Sequence, residues 1–532
     1  MLDWFDEQRQ SSWVRLELMG KKDAAFRTEA VTRAFTAAAE AHRSGDRTTA
    51  KRLYRKVLKL QPQHLKALRL SALLAHEFGD IEEAEHFLNT AVRHSPDGDP
   101  GALEDLGLLY MQSGRQEKAE TVLRQAVEMK PDSATALSRL GSTLLTCGRG
   151  SEAVEVFRRA QKLEASDLQI GYGLAHALLE SKAFDEAITA SDKALELSPD
   201  DPAILTIKGV ALHQLERLTE AEEVLSRSTE LNPEDTNALI HLGRVRLQRD
   251  DYQGAIATFE QAAKLTPGLA TVHSQLANAH AAMGSPEKAV AVCDEFLDGQ
   301  PTSAALILVK VLALRDAGRD AEADALLGQD TLVRTRQIAA PSSFGSVENF
   351  NTALEKMIRS HPSLARTHTN RATRHGIQTG SLSVDPPPEM QVFLRLLNRE
   401  IRAVLAELVA AGFGDHPWVR HAPKQWSVNS WAIVLNDQGY QLSHIHPEAW
   451  MSAVYYVAIP EDGMGAAYGE DGWLELGQPS DQLYARAKSP LRSVQPQPGT
   501  IVMFPSYSFH RTKPFSSAGQ RISIAFDIFA QP

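Results

Sequence analysis

The stretch PDSATALSRLGSTLLTCGRGSEAVEVFRRAQKLE, Pro131 to Glu164, decides the architecture of the first 330 residues. Its apolar residues recur at helical spacing in two short runs, broken near Gly148. Outward from it the same pattern repeats in phase. Prolines stand at Pro62, Pro96, Pro131, Pro199, Pro233, Pro267 and Pro301, 34 apart except for one step of 35 and one doubled step where Ala165 replaces the proline. Ala50, Ala84, Ala119, Ala153, Ala187, Ala221, Ala255, Ala289 and Ala323 keep the same beat, and so does the small series Gly107, Gly141, Ala175, Gly209, Gly243 and Ala277. Each period therefore reads as two amphipathic helices. The small residues let the backbones approach closely, and the proline ends the second helix.

Period, small positions and proline resemble the tetratricopeptide (TPR) family over about residues 30–330. The resemblance implies an all-α superhelix of about eight to nine repeats whose concave face holds a protein or peptide partner. The bland counterpart is an array that only supports or dimerises a neighbouring domain. The histidines inside it, such as His64, His94, His213, His241 and His273, have no ligand spacing and read as surface or packing residues.

The 532 residues exceed what one core organises, and 43% hydrophobic with 23% charged residues is an ordinary globular composition. Lys+Arg of 56 against Asp+Glu of 67 gives a net charge of −11, a poor basis for binding nucleic acid or an anionic membrane. Cys147 and Cys293 form neither a CxxC nor a zinc pattern, so a disulfide framework is excluded and a reducing cytoplasm fits. The opening MLDWFDEQRQSSW has no apolar core of a signal peptide, and no run of about 18 apolar residues predicts a membrane span. There is no Walker A sequence, no GxSxG and no HExxH.

The 34-residue beat stops after about Asp330. The expected organisation is a helical cap over 1–28, the array over 29–330, a linker over 331–346 and a final domain over 347–532. Within the last, 347–361 and 387–412 show helical spacing and are expected to pack outside a sheet. From Gln425 onward QWSVNSWAIVL, WMSAVYYVAIP, GTIVMFP and RISIAFDIF read as strands of a small antiparallel barrel or jelly roll. Trp431, Tyr455 and Tyr456 read as core aromatics of it.

QLSHIHPEAW places His444, His446 and Glu448 two apart, so on an extended segment they share a face. His510 follows 64 residues after His446, and Arg521 stands eleven beyond that, in Arg521-Ile522-Ser523. Arg521 and Ser523 share a strand face, with Ile522, Ile524 and Phe526 turned the other way.

This order resembles the Fe(II)- and 2-oxoglutarate-dependent oxygenase superfamily, and more closely its branch that follows TPR arrays in bacteria. HIHPEAWMSAVYYV and PQPGTIVMFPSYSFH carry the closer likeness, which covers about residues 340–532. The resemblance implies a double-stranded β-helix (a jelly-roll, cupin-like fold) with flanking helices. It implies that the HxH/E pair and His510 hold Fe(II), that Arg521 binds the far carboxylate of 2-oxoglutarate and that Ser523 supports it, with O2 as co-substrate. The superfamily's usual second ligand is a carboxylate, which leaves two registers open: His444, His446 and His510, or His446, Glu448 and His510. The expected protein is a cytoplasmic 2-oxoglutarate-dependent dioxygenase, a hydroxylase whose array recruits a protein or peptide. Two rivals remain: an adaptor whose jelly roll binds metal without catalysis, and a cupin-like three-histidine metalloprotein that uses no 2-oxoglutarate.

Overall fold

The computed structural model describes residues 27–95, 99–366, 372–462, 464, 469–479, 483–484 and 486–531. The helical cap expected over 1–28 lies outside them, apart from two residues that begin the helix 27–43. The chain divides into two compact units, 1–233 and 234–532.

The first unit is a run of paired helices. In the repeat quoted above they are Ala134–Thr146 and Gly150–Leu163. Ser133 starts the first of these by accepting the amide of Ala136 at 3.2 Å, and Asp99, Asp167 and Asp201 begin their helices in the same way. Gly148, at φ 70°, makes the turn within the pair. Gly45, Gly79 and Gly114 occupy the equivalent place, whereas Lys182 and Glu216 adopt the same left-handed conformation with φ of 62° and 59° and without glycine's freedom. The two small-residue series have distinct causes. Ala50, Ala84, Ala119, Ala153, Ala187 and Ala221 are all 0% exposed, pressed between helices. A Cβ on Gly141 would stand 2.6 Å from the Phe157 ring, and one on Gly107 would stand 2.5 Å from Leu123. The large residue of each second helix thus fills the space a side chain would need.

The second unit continues the pairs from Thr236–Gln248 to Asp320–Leu327 and then builds an antiparallel sheet. Its strands are β1 (Arg334–Gln337), β2 (Ala365–Arg366), β3 (Thr373–Gln378), β4 (Trp426–His444), β5 (Met451–Ala458), β6 (Leu474–Leu476), β7 (Arg492–Val494), β8 (Thr500–Pro505), β9 (His510–Thr512) and β10 (Arg521–Ala530). The order along the sheet is β1-β8-β5-β10-β4-β9-β6-β7, with β3 on β4 and β2 on β3. This is a curled, jelly-roll-like arrangement that follows the helical array, as the sequence predicts.

The helices Val347–Ser360 and Pro388–Leu408 pack outside the sheet. Phe393 lies 5.0 Å from Tyr455 and 5.8 Å from Phe526, ring to ring, and the Tyr455 hydroxyl donates to Asn351 Oδ1 at 2.5 Å. One core cluster joins them to Leu306 and Val309 of the last repeats and to Ile524 and Ile528 of β10. The stretch expected as a linker, 331–346, instead carries β1, paired through Arg334 to Met503 and Gln337 to Thr500 of β8. Its alternating residues, Arg-Thr-Arg-Gln, suit an edge strand whose stability comes from main-chain pairing rather than apolar content.

β4 is the strand that connects the two halves of the sheet. Its first ten residues pair with β10, from Trp426–Ala530 to Leu435–Arg521. Gln438, at φ 59°, then breaks the regular run, and the end of the strand pairs with β9, with His444 opposite His510.

Candidate metal centre

Two strand ends and one turn place the three imidazoles. His444 closes β4, His510 opens β9 directly across from it, and His446 follows β4 with its amide bound to the Ser506 carbonyl at 3.2 Å. One ligand atom from each lies within 4.8 Å of the others, and the ring centroids are 4.3 to 5.1 Å apart. Glu448 is exposed in the turn after β4 and lies outside this cluster.

Each ring has an acceptor at Nδ1. That of His444 is 2.7 Å from the Leu442 carbonyl, that of His510 is 3.1 Å from the Ser508 carbonyl, and that of His446 is 2.7 Å from Asp527 Oδ2. An acceptor there holds the proton on Nδ1 and leaves the Nε2 lone pair free for a metal. Burial, then the neighbouring His446, pushes His444 down to about 4, and burial with the two other imidazoles holds His510 well below its ordinary value. Both are neutral near pH 7, the state a metal ligand requires.

Asp527 was not predicted at the site. It is 5% exposed, and its other oxygen accepts from Ser452 Oγ at 2.7 Å. Its partners are His446 and Ser452. Strand alternation held the missed signal: Arg521, Ser523, Ala525 and Asp527 lie two apart on one face of β10.

The other end of that face is built differently. Arg521 and Ser523 are each 1% exposed and Tyr456 is 0% exposed. The Arg521 guanidinium sits 5.1 Å from the centre of the Tyr456 ring. Ser523 pairs with Tyr456 across to β5, so one ladder carries Tyr456 with Ser523 at this end and Ser452 with Asp527 at the other. Arg521 Nε and Ser523 Oγ have no hydrogen-bond partner among the described residues, and the Tyr456 hydroxyl has only the Arg521 guanidinium as a polar neighbour there. Burial lowers the pKa of Arg521 and raises that of Tyr456. A buried cation among unpaired donors is expensive unless an anion completes it. The donor set fits a carboxylate: a planar guanidinium fork beside two hydroxyls.

Between the two ends, Val454 and Ala525 give an apolar floor, and Trp431, Leu474 and Phe504 line the walls. Trp431 and Arg521 therefore border the cavity, Tyr456 lies behind it against the Arg521 guanidinium, and Tyr455 belongs to the core. A second, more open groove lined by Ser381, Asn429, Trp431 and Gln441 ends on His444 and His446.

No curated protein matches the chain. Among solved structures it is similar to a tetratricopeptide repeat protein of Parabacteroides merdae, at 15% identity over 47% of this chain and 98% of that one, with a TM-score of 0.38. It is also similar to pilF of Pseudomonas aeruginosa, at 22% identity over 39% and 94% with a TM-score of 0.34, and to YrrB, described as a TPR protein with an unusual peptide-binding site, at 23% over 35% and 97% with a TM-score of 0.30. Residues 41–106 match the family model for the tetratricopeptide repeat, and 176–288 match that for the N-terminal TPR repeats of Psidin. Residues 429–527, the span that holds the three imidazoles, Arg521 and Ser523, match the family described as "Putative 2OG-Fe(II) oxygenase". The helical array is thus similar to tetratricopeptide-repeat families, and the sheet that carries the imidazole cluster is similar to the family described as "Putative 2OG-Fe(II) oxygenase".

Proposed function

We propose that this protein is an Fe(II)- and 2-oxoglutarate-dependent dioxygenase, a hydroxylase whose repeat array recruits a protein or peptide. The observation that carries the reading is the single face of β10, which supports a metal-ligand cluster at one end and an unsatisfied carboxylate receptor at the other.

His444, His446 and His510 would hold Fe(II) through Nε2. Leu442, Ser508 and Asp527 keep the Nδ1 protons in place and fix the rings. Arg521, Ser523 and Tyr456 would bind the far carboxylate of 2-oxoglutarate, which neutralises the buried guanidinium. When bound, iron and 2-oxoglutarate supply the oxidative chemistry with O2. The apolar floor of Val454 and Ala525 keeps water from the receptor between the two ends. Trp431 and Asn429 line the approach to His444 and His446 and would orient the substrate there. Two free cysteines suit a cytoplasmic setting, where thiols stay reduced.

The alternative is an adaptor whose jelly roll binds metal without turnover. Its support is the third imidazole where the superfamily carries a carboxylate. The buried Asp527 weighs against it, because it brings a negative charge one hydrogen bond behind His446. Anaerobic addition of Fe(II) and 2-oxoglutarate separates the two. A weak visible charge-transfer band, absent in Arg521→Ala, together with conversion of 2-oxoglutarate in air supports the oxygenase. Metal binding with no band and no turnover supports the adaptor.

A further inference from the structure

The connection between β6 and β7 does not stay with the sheet. It leaves beside the metal cluster: Leu476 pairs with His510, the Gly477 amide donates to the Phe509 carbonyl at 2.9 Å, and Ser443 Oγ donates to the Gln478 carbonyl. A few residues on, it lies against the helices of the last repeats within the same unit. The Tyr484 amide donates to Asn278 Oδ1 at 3.0 Å. The amides of Arg486 and Ala487 donate to Asp316 Oδ1 at 2.9 and 2.7 Å. The Tyr484 ring meets Tyr252 edge-on at 6.3 Å between centroids, and its hydroxyl donates to the Leu247 carbonyl at 3.3 Å. Arg486 Nη2 donates to the Ala282 carbonyl at 3.3 Å.

Three main-chain amides held by two side chains is recognition of an extended backbone. The side-chain contacts add a selection for an aromatic residue followed two positions later by arginine. Two features of the helices suit such a ligand. Asp316 is the last residue of Ala304–Asp316, at the negative end of the helix dipole, where a carboxylate is disfavoured until N–H donors compensate it. Asn278 is 2% exposed, and its Nδ2 has no hydrogen-bond partner among the described residues. Its amide accepts from the backbone of the segment but gives nothing back. The chain's own segment is therefore an incomplete occupant. A free peptide, not tied to the sheet, is able to place a carbonyl on Nδ2 as well. Arg244, one 34-residue period before Asn278, is half-buried with no hydrogen bond or ion pair among the described residues, and burial lowers its pKa.

We infer that the surface of the last repeats around Asn278 and Asp316 is a peptide-binding site that the chain itself keeps filled with Tyr484, Arg486 and Ala487. Its partner is an extended peptide carrying Tyr-x-Arg, with an acidic residue on the N-terminal side of the tyrosine to meet Arg244. That peptide enters by displacing the segment. This names the partner class for the array's recruiting role and rests on that reading. The assay below scores binding alone, so an inactive metal site leaves it standing.

The probe is a fluorescein-labelled peptide of the chain's own sequence 478–490, QPSDQLYARAKSP, titrated into the full-length protein and read by polarisation. The cis segment lowers the apparent affinity by the fraction of time the site is open. The double variant Tyr484→Ala/Arg486→Ala is therefore expected to bind the probe at least tenfold more tightly than wild type. Adding Asn278→Ala or Asp316→Ala should reverse that gain, and a probe with its tyrosine replaced by alanine should bind at least tenfold more weakly. Equal binding to wild type and the double variant, or indifference to Asn278→Ala, would overturn the inference. Hydrogen exchange on the wild-type chain needs no variant. A saturating probe should speed exchange at the Tyr484, Arg486 and Ala487 amides; probe bound with those amides still protected would equally overturn it.

Discussion

His446 Nδ1 meets Asp527 Oδ2 at 2.7 Å, while Asp527 Oδ1 accepts from Ser452 Oγ at the same distance. Both oxygens of a buried carboxylate are thus committed, one of them to a ring whose other nitrogen is free for metal. This relationship orients His446 and supplies the negative charge that a set of three imidazoles lacks.

Asp527→Asn should therefore weaken metal binding by about 10- to 100-fold, the usual effect of removing the partner behind a ligand histidine. Glu448→Gln should leave it unchanged, since Glu448 is exposed and outside the cluster. Titration with Co(II), read by its visible bands, checks both. Loss of affinity in Glu448→Gln with none in Asp527→Asn would favour the other register.

Arg521 is a buried guanidinium whose Nε has no partner among the described residues, a cost to the stability of the ligand-free protein. Arg521→Met should raise the stability of the ligand-free protein by about 1–3 kcal/mol, as replacing buried charge with an apolar side chain does elsewhere. It should also abolish 2-oxoglutarate binding. Urea unfolding with and without 2-oxoglutarate measures both quantities, and a destabilised variant would show that the guanidinium is satisfied without a ligand.

The pH dependence of the metal-free protein follows from His444. Its folded pKa of about 4 lies below the ordinary value of 6.5. Between these values the unfolded chain binds a proton that the folded one refuses, so stability rises with pH over that window and is lost as pH falls through it. The contribution is on the order of 2–3 kcal/mol by linkage, and His510 acts in the same direction. Denaturant midpoints at pH 4.5 and 7 should show it, and His444→Gln should flatten the slope.

In the first unit the two kinds of glycine predict different costs. Gly141→Leu drives a side chain into the Phe157 ring and should destabilise by about 1–3 kcal/mol or more through overpacking. Gly148→Ala meets nothing in space but must keep φ at 70°, which costs about 1–2 kcal/mol. Thermal unfolding followed by circular dichroism ranks them.

The thiols should also separate. Cys147 is exposed, whereas Cys293 is buried, with burial pushing its thiol up to about 12. Titration with a disulfide reagent should find one reactive thiol in the folded protein and a second only in denaturant.

The legible parts of the sequence are those whose signal is local or periodic. The nine alanines of the repeat series were read as close-packing positions, and all are 0% exposed. The four apolar strand runs became β4, β5, β8 and β10, and Arg521 with Ser523 share a face because alternation requires it. The short strands β6, β7 and β9 had no such signal. Three residues are too few for a pattern, and they exist because neighbouring strands supply their partners.

A 34-residue helical repeat, followed by a strand-rich domain with an ordered set of histidines, an arginine and a serine, is written in the amino-acid order alone. Those facts lie along the chain, where side-chain period reports which residues share a face. Which residues meet emerges only when the strands and helices pack. That packing gathered His444, His446 and His510 and left Glu448 in solvent, turned Asp527 toward His446, and placed Tyr456 beneath the guanidinium. It also laid Tyr484 against Asn278, 206 residues away in the chain. The physical reason is register. A contact between distant segments depends on how whole strands and helices align through their shared core, and no local period encodes that alignment.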